Sequence, residues 1–267
     1  MSLAAPAAAQ KWIEAPPIPL SLPADGLVQV AAAPWGDGLY FLDGLRLEVL
    51  AADAHGRLRQ RYGGWGTGAL ALDLPRDLVV AENSVFVLDQ GGQQILRLDA
   101  RLNPVSTTPL PGDQLPLAFI RDAQQRFWVT FENQAGLYLY ADDGTVLDVV
   151  ADEASGAVAV LHPSLLAASD NRIAVWDPID AIIYLFHLSG RLDRRLPLQW
   201  ERPVLAIEWA GERLLLATTA GLLQVNPADA TVTSLPVAGG VIDLAARFPN
   251  IYVLDQTGIL HVLQPVP

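Results

Sequence analysis

The chain has 267 residues, 51% of them hydrophobic and 17% charged, which is material for a large packed core and not the composition of a disordered segment. With 29 acidic against 17 basic residues its formal charge is −12, a field that repels phosphate backbones and anionic headgroups and argues against nucleic-acid binding. Cysteine is absent, removing disulfides, thiolate metal sites and cysteine nucleophiles, and no apolar run reaches the ~20 residues of a bilayer-spanning helix, so no transmembrane segment is expected.

Residues 1–9 stand apart from the rest. Leu3 to Ala9 followed by Gln10 looks like the end of a secretory signal, with Ala7 and Ala9 in the small-residue pattern of a cleavage site, but without a basic start or a full apolar stretch. The expectation is a flexible leader or signal-peptide remnant on a periplasmic or secreted protein; a cytoplasmic location is the alternative if Met1 is the native start.

From residue 10 onward a pattern repeats. Six short apolar runs end at Asp43, Asp89, Phe131, Asp177, Thr218 and Asp255, which places them 46, 42, 46, 41 and 37 positions apart. A period of this length built from several short strands signals a radial or stacked array, because one such unit cannot bury both its faces alone. The first repeat reads as strands Val28 to Ala33, Leu39 to Asp43, Arg46 to Ala51 and Leu58 to Tyr62. The second reads Asp77 to Ala81, Val85 to Asp89, Ile95 to Asp99 and Val105 to Leu110, with breaks at Glu82-Asn83, Gly91-Gly92 and Asn103-Pro104, where turn residues belong. The third and fourth follow the same plan through Val150 and Leu196, and Asp142-Asp143-Gly144 supplies a hairpin turn in the third. The fifth runs from Leu205 to Leu235.

The sixth repeat offers Ile242 to Ala246, Ile251 to Asp255 and Ile259 to Leu263, and lacks an outer strand. Lys11 to Ala15 is surplus at the other end, so pairing the two would close the ring and cover a free sheet edge. Pro16 and Pro17 have no amide donors, so that strand should end there or lie on the outer edge. Both faces of strands such as Val85-Phe86-Val87-Leu88 are apolar, as blades stacked on both sides require. The expected fold is all-β: a single six-bladed β-propeller of four-stranded antiparallel blades over residues 10–267.

The second repeat, from Leu74-Pro75-Arg76-Asp77 through Val85-Phe86-Val87-Leu88-Asp89 to Ile95-Leu96-Arg97-Leu98-Asp99, resembles the NHL-type repeat of six-bladed propellers, and Tyr252-Val253-Leu254-Asp255 is similar. Repeats three and five depart from it, with Phe131 and Thr218 in the place of Asp. The resemblance extends over nearly the whole chain and implies the architecture. It does not choose among the binding scaffolds, sensor domains and few enzymes built on that frame.

Asp43, Asp89, Asp177 and Asp255 lie at rotation-related positions, too far apart around the axis to share an ion, and read as acceptors for turn amides. A metal near the axis needs oxygen ligands at the start of the inner strands. Asp77 and Asp243 occupy such places, Ser164 aligns with them, and His162 and Arg121 are close in sequence, whereas repeats three and five carry Ala118 and Ala206. Resemblance to six-bladed lactonases and gluconolactonase-like enzymes, which combine Glu, Asn and Asp ligands across blades, makes a calcium-assisted hydrolase with Asp77, His162 and Asp243 the alternative reading. Neither a nucleophile elbow nor a Walker loop nor a dinucleotide fingerprint is present; His187 and His261 read as packing or edge residues.

Trp128, Trp176 and Trp209 fall within strands and read as blade packing, while Trp35, Trp65 and Trp200 fall in connections, where an aromatic side chain can anchor a partner. The leading expectation is a noncatalytic protein-binding or scaffold propeller of the bacterial cell envelope or exterior, without a cofactor and with a protein partner. Carbohydrate or small-molecule capture near Trp35 and Trp65 is a third reading.

Overall fold

The computed structural model describes residues 11–66, 68, 71–198, 202–237 and 240–266. The leader at residues 1–9 and Trp200 lie outside them. The strands form six 4-stranded antiparallel sheets. Strand β1 (Trp12–Ile18) precedes blade 1, which is β2 (Leu27–Ala32), β3 (Leu39–Asp43), β4 (Glu48–Ala52) and β5 (Leu58–Gly63). Blade 2 is β6 (Pro75–Ala81), β7 (Ser84–Asp89), β8 (Gln94–Asp99) and β9 (Pro104–Pro109). Blade 3 is β10 (Pro116–Arg121), β11 (Phe127–Phe131), β12 (Leu137–Tyr140) and β13 (Val146–Val150). Blade 4 comprises β14 (Leu165–Ala168), β15 (Arg172–Asp177), β16 (Ile182–His187) and β17 (Leu192–Pro197), and blade 5 comprises β18 (Val204–Ala210), β19 (Arg213–Thr218), β20 (Gly221–Val225) and β21 (Val232–Ser234). Blade 6 contains β22 (Val241–Arg247), β23 (Asn250–Asp255) and β24 (Leu260–Pro265), and β1 is its fourth strand.

The closure expected from the sequence is present. Trp12 pairs with Pro265, Glu14 with Leu263 and Ala15 with Val262, after which the register shifts before Ile18 meets Leu260. Pro16 and Pro17 occupy that shift, so β1 does not stop at the prolines: it lies on the outer edge, where two missing donors are tolerated, and continues to Ile18.

Six apolar clusters hold the ring, and each belongs to two adjacent blades. Leu42 and Val49 of blade 1 pack with Leu78 and Val85 of blade 2. Phe86 and Ile95 pack with Phe119 and Phe127, Trp128 and Leu139 with Ile173 and Tyr184, and Trp176 and Leu185 with Ile207 and Leu214. Leu215 and Leu222 meet Leu244 and Ile251, and the last cluster joins Tyr252 and Leu254 of blade 6 to Val30 and Phe41 of blade 1. A blade with both faces covered must be apolar on both, which is why β7 and β23 carry runs without alternation. At about 1.5–3 kcal/mol for each fully buried Leu or Phe, these interfaces are the main stabilising term.

The inner strands run side by side around the axis, all starting on one face of the disc, here the entry face. The outer-to-inner and second-to-third connections emerge there; the inner-to-second and third-to-outer turns emerge on the opposite face.

Candidate functional site: an axial cavity and its apolar rim

The six inner strands enclose a cavity of about 600 Å³. Register places its lining in layers. In five blades the inner strand slips by one residue against its neighbour just after its start, and the extra residues are Val28, Arg76, Leu117, Leu205 and Ile242. Such a bulge re-aims a side chain, and Val28, Arg76, Leu117 and Leu205 edge the cavity at its entry-face mouth. The layer below is Gln29, Asp77, Ala118, Leu165, Ala206 and Asp243, and the next is Ala31, Val79, Ile120, Ala167, Glu208 and Ala245. In blade 4 Leu165, not Ser164, pairs at the level of Asp77; Ser164 stands one place earlier and bonds through its amide and hydroxyl to the Trp176 carbonyl.

Asp77 and Asp243 tie the inner strands together. The Asp77 carboxylate accepts the Gln29 amide of blade 1 (2.6 Å), the Phe119 amide of blade 3 (2.8 Å) and its own neighbour Leu78 (2.9 Å). Asp243 accepts the Val30 amide of blade 1 at 2.7 Å. Burial raises both acids above the usual carboxylate range despite these bonds, Asp243 to about 7, and the nearby Asp77 charge adds to the shift of Asp243. Glu208 is displaced further, to about 8, by burial and then by the Asp243 charge. Sequence reading missed Glu208 because every equivalent position is Ala, Val or Ile; a single acid inside Val-Leu-Ala-Ile-Glu-Trp-Ala was the signal available.

The remaining singled-out residues do not converge on these acids. His162 does not join Asp77 and Asp243: its amide bonds to Asp177 (2.9 Å), its half-exposed ring lies 3.9 Å from the same carboxylate, and no group of three or more His, Cys, Asp or Glu with metal-binding spacing occurs among the described residues. Arg121 turns away from the axis. Its guanidinium stacks on Phe86 (4.9 Å) and Phe127 (4.6 Å) and pairs with Glu82 (3.0 Å) and Asp142 (2.6 Å). Arg76 remains at the rim, 3.9 Å from Glu132.

Asp43, Asp177 and Asp255 accept amides of the turns that follow them, as expected from their positions, whereas Asp89 accepts the Asp73 and Leu74 amides of the connection that enters its blade. His261 is more than an edge residue. Its ring bridges Glu14 of β1 at 2.6 Å and Asp255 at 2.9 Å, tying the closing strand to its blade.

Trp65 and Trp35 lie in connections on opposite faces of the disc. Trp65, in the connection from blade 1 to blade 2, is 76% exposed and donates its indole N–H to the Leu45 carbonyl (3.1 Å). Trp35, between β2 and β3, is half-buried against the cluster joining blades 1 and 2. Trp65 belongs to a wider pattern. Leu45, Leu74, Leu115, Leu161, Ile179 and Ile259 are exposed in entry-face connections, while Phe248 is the sole exposed large apolar side chain in the described connections of the opposite face.

No protein-family description and no curated protein sequence matches the chain. Solved structures do. The chain is similar to a streptogramin B lyase with a TM-score of 0.68 and 11% identity over 96% of this chain and 98% of that one. It is similar to virginiamycin B lyase from Staphylococcus aureus (TM-score 0.63, 13% identity, 93% and 83% covered) and to BamB from Moraxella catarrhalis (0.53, 13%, 88% and 71%). At these identities the likeness establishes the propeller fold and nothing finer.

Proposed function

We propose that this chain is a noncatalytic protein-binding propeller of the bacterial cell envelope or exterior, and that its entry face is the docking surface. One observation carries the reading: exposed apolar side chains in the connections are gathered on one face, where Val28 and Leu205 of the rim and Trp65, Leu74 and Ile179 of the loops stand in solvent. A soluble protein has no folding reason to sort such residues to one side, whereas an interface needs apolar anchors on a rigid frame. The small-residue pattern at Ala7 and Ala9 supports the location.

A calcium-assisted hydrolase is supported less well. Three axial acids, Asp77, Asp243 and Glu208, face one cavity, but the oxygens of Asp77 already accept three donors, Asp243 accepts the Val30 amide, and His162 lies elsewhere. Melting in calcium and in chelator separates the readings: a calcium-dependent rise in Tm lost in Asp243→Asn supports the hydrolase, and superimposable curves support the binding propeller. For the docking surface itself, Leu205→Glu with Val28→Glu should abolish co-purification of a stoichiometric partner from envelope fractions while Phe248→Glu leaves it intact. Loss with Phe248→Glu, or with neither, contradicts the proposal.

A further inference from the structure

Each blade ends in an outer strand whose far side meets no further strand among the described residues, so its outward amides and carbonyls are a template for another chain. Five of the six edges are guarded. Pro16 and Pro17 interrupt β1, Pro104 and Pro109 bound β9, and Pro197 ends β17 after Arg194 and Arg195. Arg59 and Arg61 stand exposed on β5, and β21 is 3 residues long. Proline supplies no donor, a long cation resists desolvation, and a very short strand offers too few bonds to hold a visitor.

Strand β13 of blade 3 has none of these three devices. It reads Val-Leu-Asp-Val-Val, with Val146 49% and Leu147 50% exposed. A register shift is shared by β5, β9, β13 and β17 and does not set one edge apart. The only charge on β13 is Asp148, whose carboxylate accepts the neighbouring Val149 amide at 2.9 Å. Between Arg126 and Arg172 the sequence has no lysine or arginine, while Asp143, Asp148 and Glu153 stand exposed on or beside this strand. Bases of the adjoining segments are engaged: Arg121 with Glu82 and Asp142, Arg126 with Asp122, and Arg191 with His187. The edge is apolar, free to pair, and bordered by one sign of charge. A second copy of this chain would set these acids against themselves on top of a net charge of −12, so charge disfavours self-pairing and favours a basic visitor.

We propose that the free edge of β13 receives an extended protein segment in which lysine or arginine alternates with aliphatic residues, extending blade 3 by one strand. Main-chain bonds to β13 hold the segment, and Val146 and Leu147 supply apolar contact. A carbonyl of the segment replaces Asp148 on the Val149 amide, which frees the Asp148 carboxylate to pair with a basic side chain of the segment. This edge lies on the outer wall of the disc, and the inference is independent of the entry face.

Isothermal titration of the full chain with a capped peptide of alternating lysine and valine tests this. Two comparison peptides accompany it: one with glutamate for lysine, and the fully N-methylated form, which keeps the charge but has no amide donors. The lysine–valine peptide should bind, more weakly as salt rises, and amide exchange across Val146–Val149 should slow when it does. Neither comparison peptide should bind. Leu147→Lys should lower the affinity about tenfold or more, whereas Val232→Lys on the guarded edge β21 leaves it unchanged. If Leu147→Lys does not melt cooperatively, the exposed Asp148→Lys is measured in its place, with the same loss expected. The proposal is overturned by absence of binding at about 1 mM, by equal binding of either comparison peptide, by unchanged affinity in the folded β13 variant, or by an equal loss in Val232→Lys. A dimer of the parent chain that the β13 variant abolishes would give the edge to a second copy and overturn it as well.

Discussion

Glu208 illustrates how one residue in an otherwise apolar strand changes the behaviour of the whole protein. Its carboxyl holds a proton more tightly when folded than when unfolded, since burial and the Asp243 charge raise it from 4.5 to about 8. A carboxyl shifted upward contributes stability at low pH that is lost as pH climbs through its folded value, so Glu208 and Asp243 together should make the protein less stable between pH 5 and pH 9. Glu208→Gln should flatten this slope and gain about 2–4 kcal/mol over the parent at pH 9, read from urea midpoints. Arg121 predicts the opposite outcome. Its side chain is only 1% exposed between two phenylalanines, but Glu82 and Asp142 keep access to water, so Arg121→Ala should cost about 2–3 kcal/mol, below the full penalty of stranding a buried partner. Circular dichroism melts of the variant check the value. Residue roles were legible from sequence where a repeat displayed them: the turn acids follow from recurrence, and Glu208 escaped because no other repeat has an acid there. Arg121 was adjacent to the inner-strand positions in sequence, yet its direction is set by blades 2 and 3 together, which no single repeat encodes.

At the scale of elements, closure by β1 is the contact most exposed to solution conditions. Burial alone would lower the His261 pKa; bonds to Asp255 and Glu14 outweigh it and raise it, while Asp255 is held below its usual range because the bonds it receives from His261 and Thr257 outweigh burial. The imidazolium contribution is present below about pH 6.5 and is lost as pH rises through the raised value; the Asp255 contribution is present above about 3.8 and is lost as pH falls through the lowered one. The strand should therefore be held most firmly between these limits. Hydrogen exchange at Ile13 to Ala15 should accelerate between pH 6 and pH 9 beyond the intrinsic rate, and His261→Gln should remove that excess and cost about 1–3 kcal/mol. Strand order and count were readable because turn residues punctuate each repeat. The inner-strand bulges were not: a one-residue slip leaves the apolar pattern unchanged, so Ser164 was aligned with Asp77 and only the pairing of Leu165 with Trp176 shows the offset. For β1 the prolines left two outcomes, an end at Pro16 or a place on the outer edge, and the structure takes the second, because an outer edge asks nothing of the missing amides.

For the whole molecule, the ring is a rigid frame whose two faces differ. Six interblade clusters immobilise the strands, and the connections carry whatever the protein presents to its surroundings. Composition showed the net charge of −12 and the apolar surplus, but their distribution follows from which connections share a face, and that requires the closed ring. The concentration of exposed Leu, Ile, Val and Trp on the entry face is a property of the assembled disc. A photo-crosslinking amino acid placed at Leu205 on the entry face, and separately at Phe248 on the opposite one, measures directly which face meets a partner in the cell. The account predicts a discrete crosslinked species from position 205 alone; crosslinks from position 248 alone, or from neither position, would contradict it.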